Sequence, residues 1–121
     1  MKNYELAIEH YENVANSSVS NQLTKWSVKD YLLKAGICHL LVDDAVGARK
    51  ALDRYELLDS TFGSTREFKF LSSLSEAISE GDIQKFTDIV AEFDSMTKLD
   101  NWKTTMLLRI KESMDEEPSL T

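Results

Sequence analysis

The chain has 121 residues, 42% of them hydrophobic, which is one domain's length with enough apolar content for a core. A formal net charge of −7 excludes a general nucleic-acid surface, because that needs clustered basic side chains. Four glycines and one proline favour an all-helical class, and the single Cys38 excludes an internal disulfide and fits a reducing cytosol.

The opening MKNYELAIEHY is too polar for a signal peptide, and no apolar run approaches the ~18 residues of a membrane span. A soluble, cytoplasmic protein is expected. A first helix is predicted over about Tyr4 to Asn16, with Tyr4, Ala7, Ile8, Tyr11, Val14 and Ala15 on one face. Its Ala7-x3-Tyr11 spacing resembles the second helix of a tetratricopeptide (TPR) hairpin, where a small residue lets the neighbouring helix approach. The usual partner helix would precede Met1, so the array is expected to begin midway, leaving Tyr4, Ile8 and Tyr11 incompletely covered.

After a polar connection the next helix is expected from about Leu23 to Val42. Within it Leu32, Ala35, Gly36 and His39 have the spacing of a TPR first helix, and Ala48-x3-Leu52 follows with that of the second. Asp43 is an N-cap candidate for that second helix. Ser64 to Glu67 reads as a capping box opening a helix that turns Phe68, Leu71, Leu74 and Ile78 inward and stops near Gly81. Asp82 caps another, with Ile83, Phe86, Val90 and Phe93 at three- and four-residue steps. Asp100 caps the last, whose apolar face is Trp102, Met106, Leu107, Ile110 and Met114. Lys103, Arg109 and Lys111 are placed outside that face. About six helices with short loops give antiparallel neighbours: an all-α, TPR-like solenoid over 1–114 ending in a helical bundle, then a flexible acidic tail, 115–121.

No catalytic constellation emerges, and neither an enzyme nor a cofactor is expected. His10 is a polar-face residue, His39 a packing position and Cys38 a small core residue; adjacent helix residues such as Cys38 and His39 do not converge on one metal. Two features invite a binding role: Trp26 between Lys25 and Lys29, and the ending Asp115 to Thr121, whose Leu120 has no evident part in the fold.

The runs KWSVKDYLLKAGICHL, STREFKFL and EFDSMTKLDNWKTTMLLRIKES closely resemble the α-SNAP (soluble NSF attachment protein) family, in its C-terminal portion. That resemblance implies a non-enzymatic adaptor that binds the SNARE four-helix complex on a concave face and recruits and stimulates the ATPase NSF, so that SNARE complexes are pulled apart for further membrane fusion and intracellular transport. It also implies peripheral membrane association through SNAREs, and a truncated form of a longer protein. Lys29 and Arg66 match basic positions that face the acidic SNARE bundle, with Leu23 and Trp26 at neighbouring contact positions. Asp43, Glu76 and Glu80 match acidic positions that meet NSF, and Ser79 stands where a fourth acid is usual. Leu120 matches the penultimate leucine through which the family stimulates NSF, but Pro118 and Ser119 replace two acids there. The alternative is a stand-alone TPR-like module for an unrelated peptide. The adaptor reading needs the acidic residues on one face and Lys29 with Arg66 on the other, and the two sets intermixed would favour the alternative.

Overall fold

Helix α1, Tyr4–Ser18, buries Ile8 and Ala15 and half-buries Tyr4, Ala7 and Tyr11. It packs along α2, Val28–Val42, the most buried of the described helices. The structure, a computed structural model, describes residues 4–18, 28–42 and 45–115; Leu23, Trp26, Asp43 and Leu120 therefore lie outside the described residues. Then come α3, Ala45–Leu58, a short 3₁₀ turn, Phe62–Ser64, and three further helices: α4, Arg66–Glu80, α5, Ile83–Met96, and α6, Asn101–Asp115. The described residues are thus all-α, built of TPR-like helical hairpins. No described helix is long and apolar enough to cross a membrane.

Local chemistry sets the boundaries. The cap of α4 is Thr65, one residue later than the expected Ser64: its Oγ1 accepts from the Phe68 amide at 3.1 Å. Ser64 is taken up by the 3₁₀ turn, donating its hydroxyl to the Thr61 carbonyl. With the cap shifted, Glu67 no longer falls at the capping-box position and is buried instead. Helix α4 ends on Gly81, whose φ of 68° is left-handed and suits a residue without Cβ. Asp82 accepts from the Lys85 amide and Asp100 from the Lys103 amide, so both expected caps form.

Successive helices alternate in direction. Phe70 stacks on Phe93 at a centroid distance of 4.2 Å, which fixes α4 antiparallel to α5. Arg49 on α3 donates to Ser72 Oγ on α4 at 2.6 Å. Lys103, early in α6, lies 2.9 Å from Asp30, early in α2, so α6 runs with α2. Helix α5 lines one groove with α6 and runs antiparallel to it, and α4 therefore runs the same way as both α2 and α6. Between α2 and α4 the approach is close: a Cβ on Gly36 would stand 2.5 Å from Leu71 Cδ1. The core centres on Leu32, Ile37, Leu52, Phe62, Leu71, Leu74, Phe86 and Ile110, each fully buried or nearly so. A buried side chain of this size contributes roughly 1.5–3 kcal/mol.

Two expectations change here. Lys103, placed outside the apolar face of α6, is buried at 7% exposure, with Nζ 2.9 Å from Asp30 and 3.0 Å from Asp100. Helix α6 packs on α2 as well as on α5, so its face is wider than the Trp102 stripe and takes in the neighbouring position. Ile8, expected to be incompletely covered, is buried, because α1 also meets α6: Tyr11 lies edge-on to Trp102, and Arg109 donates to the Tyr4 hydroxyl at 3.0 Å.

Candidate partner-binding surface

The residues singled out for binding fall at two ends of this array. Lys29 is in the first turn of α2 and Arg66 opens α4; both are exposed, and because those helices are parallel both lie at the same end. Glu76 and Glu80 lie on α4 beyond Arg66, about 15 and 21 Å along the axis. They share the opposite end with the C-terminal turn of α2. One turn apart on a helix, Glu76 and Glu80 are brought together; Lys29 and Arg66 share an end but sit on separate helices.

Each end has partners that spacing did not reveal. Lys85 on α5 reaches back to Glu80 at 3.1 Å and Glu76 at 3.9 Å, so the two acids share one cation. The signal was available: a Gly81-Asp82 turn places the first turn of α5 beside the last turn of α4. Both acids are exposed and Lys85 is partly so, so these pairs contribute little to stability and leave the acids open to a competing cation. Beside Glu76, Ser79 lines a shallow groove of about 430 Å³ with Val46, Arg49 and Lys50, so basic groups flank the position where a fourth acid is usual. At the other end Arg66 and Lys69 border a groove of about 290 Å³ whose floor is Phe70 and Phe93 and whose rim carries Met96, 61% exposed, and Glu92. Lys69 and Met96 were not among the expected binding residues. A cation three residues after Arg66 on an exposed helix face was the legible clue for the first.

The polar residues that tempted a catalytic reading have structural work. Burial pushes the Cys38 thiol up to about 11, away from the thiolate form a nucleophile needs. His39 Nε2 lies 2.9 Å from Glu12 Oε2, which also accepts from the Tyr55 hydroxyl and from Arg54 at 3.2 Å. Burial alone would raise the Glu12 pKa, but hydrogen bonds from His39 and Tyr55 and the charge of Arg54 outweigh it and hold the carboxyl below its usual value. Tyr55 is shifted up, by burial first and then by its bond to Glu12. One carboxylate therefore ties α1 to α2 and α3.

Comparison with known proteins gives the origin of this arrangement. The family described as "Soluble NSF attachment protein, SNAP" matches residues 1–115. An alpha-soluble NSF attachment protein of Vitis vinifera is 50% identical over 125 residues, covering 100% of this chain and 43% of the relative. A probable vesicular-fusion protein sec17 homolog of Schizosaccharomyces pombe is 49% identical, covering 98% of this chain and 41% of the relative. A beta-soluble NSF attachment protein of Bos taurus is 44% identical, covering 94% and 38%. The chain thus spans about two fifths of the length of these relatives; its expected place in their C-terminal portion does not follow from the matches. By extent and identity together, the chain belongs to the soluble NSF attachment protein family.

Proposed function

We propose that the chain is a non-enzymatic adaptor for vesicle fusion, which binds a SNARE complex at its basic end and the ATPase NSF at its acidic end. The observation that carries this reading is the separation of the two charged sets in a chain of this family. Lys29 and Arg66 lie in the first turns of two helices, α2 and α4, while Glu76 and Glu80 lie one turn apart at the far end of α4. An acidic helical bundle is attracted to the first end and a basic domain to the second.

The strength of each contact is limited. An exposed ion pair contributes about 0.2–1 kcal/mol and is screened by salt, so affinity has to come from several contacts and several copies acting on one complex. The groove beside Arg66 adds apolar surface, with Lys69 as a second cation and Met96 as an adaptable apolar contact. Membrane association then follows from the SNAREs rather than from a segment of the described residues.

The test is co-precipitation of NSF with immobilised chain, with and without an assembled SNARE complex. The reading expects weak SNARE binding and measurable NSF binding, the latter strengthened when SNARE complex is present. No retention of either partner at low salt would overturn it.

A further inference from the structure

A groove of about 500 Å³ runs between α5 and α6 and holds none of Lys29, Arg66, Glu76 and Glu80. Its floor is apolar, formed by Val90 and Leu107, and its rim carries Ala91 and Leu108, the latter 54% exposed. Lys98 stands at one end and Lys111 toward the other. Neither has an ion-pair partner among the described residues, although Lys34, Lys85 and Lys103 each have one. Asp94 also lines the groove, its carboxylate accepting from the Leu99 amide at 2.9 Å and adding one negative charge to the lining. The groove therefore presents apolar surface with a lysine toward each end and one hydrogen-bonded carboxylate in its lining.

A complementary shape is found elsewhere on the same chain. Leu57 is 88% exposed, the most exposed large hydrophobic side chain among the described residues. It projects from α3 in a patch with Asp53, Glu56 and Ser60, all exposed. Asp53 and Leu57 are one helical turn apart, so an apolar knob carries carboxylates on its own face. An isolated exposed leucine is ordinary, but one flanked by acids is complementary to an apolar groove with a lysine toward each end.

We propose that a second copy of this chain docks in the α5–α6 groove through Leu57, with Asp53 and Glu56 facing Lys98 and Lys111. Two copies at −7 each repel at long range, so only a local contact of opposite charge brings them together. Helix α3 packs on α2 and α4, whereas the groove lies on α5 and α6; knob and groove are different surfaces, and the contact is heterologous. Such a contact strings copies side by side, which is useful to a protein whose single contacts are weak. It is small, so association is expected only toward about millimolar concentration in free solution.

The experiment is sedimentation velocity on the full chain over a concentration series reaching about 1 mM. It compares the wild type with Leu57→Gln, Leu108→Gln, Lys111→Glu and an equimolar mixture of the two glutamine variants. Leu57 and Leu108 are exposed and glutamine is a good helix former, so circular dichroism should show unchanged helix content. The wild type should sediment faster as concentration rises. Each single variant should associate at least tenfold more weakly, and the mixture should form pairs, since each variant keeps the half the other lost. A wild type that stays monomeric throughout, a single variant that associates like the wild type, or a mixture that remains monomeric would overturn the proposal. None of these outcomes bears on the adaptor reading, which is read from NSF and SNARE retention.

Discussion

At the residue scale, Lys103 shows how little a side chain's type predicts its place. Its ammonium is held by Asp30 and Asp100, and these hydrogen bonds and charges raise its pKa against the opposing effect of burial. The two carboxylates are about half-exposed, so they can exchange the ammonium for water. Lys103→Met should therefore cost only about 1 kcal/mol in urea unfolding. Lys103→Glu should cost about 3 kcal/mol or more, because a third carboxylate is forced into a nearly buried site. Asp100 is held below its usual value, first by the Lys103 amide bond, so its contribution is present at neutral pH and is lost as pH falls through that depressed value. Lys103 has the opposite sense: its contribution is full below its unfolded pKa and fades as pH rises through the raised folded value. Cys38 is the other residue with a definite expectation. A buried thiol shifted up to about 11 should resist an exposed-thiol reagent at neutral pH and react only when denaturant opens the fold.

At the element scale, α1 depends on a contact that no periodicity could foresee. Glu12 meets His39 and Tyr55 across 27 and 43 residues of sequence, and its side chain lies on the half-exposed flank of its helix. The apolar spacing of each helix was legible because burial imposes a period of 3.6, and so were the Asp82 and Asp100 caps, because their partners are three residues away. Thr65 was missed because Ser64 and Thr65 both offer a capping hydroxyl, and the choice lies with the preceding 3₁₀ turn. Lys103 and Lys85 were missed because their partners stand on other helices. Glu12→Ala leaves the Tyr55 hydroxyl, nearly buried, without its acceptor and should cost about 1–3 kcal/mol. Hydrogen exchange should then speed up in α1 more than in α5. Because Glu12 is depressed in the folded state, wild-type α1 should loosen in the same way as pH falls through that folded value, and the Glu12→Ala chain should not show this added acid sensitivity. Uniform exchange in α1 and α5 of the variant would mean that the carboxylate does not tether the helix.

At the scale of the whole molecule, the six described helices carry two short sequence signals to two separate ends. The basic and acidic positions came from resemblance to a family, and chain order alone could not have told whether they would mix. Their separation rests on α2 and α4 running the same way, packed directly on each other at Gly36 and Leu71. The contacts that modulate each end, Lys85 on the acids and Lys69 with Met96 beside Arg66, were not read because they depend on how α4 meets α5. The central claim is that one end serves SNARE complexes and the other NSF. It is tested most directly by measuring retention of both partners at low salt on two charge-reversed chains, Lys29→Glu with Arg66→Glu, and Glu76→Lys with Glu80→Lys. The account predicts that the first chain loses SNARE binding by about tenfold while keeping NSF, and that the second does the reverse. Two chains that bind both partners like the wild type, or that weaken both equally, would contradict it.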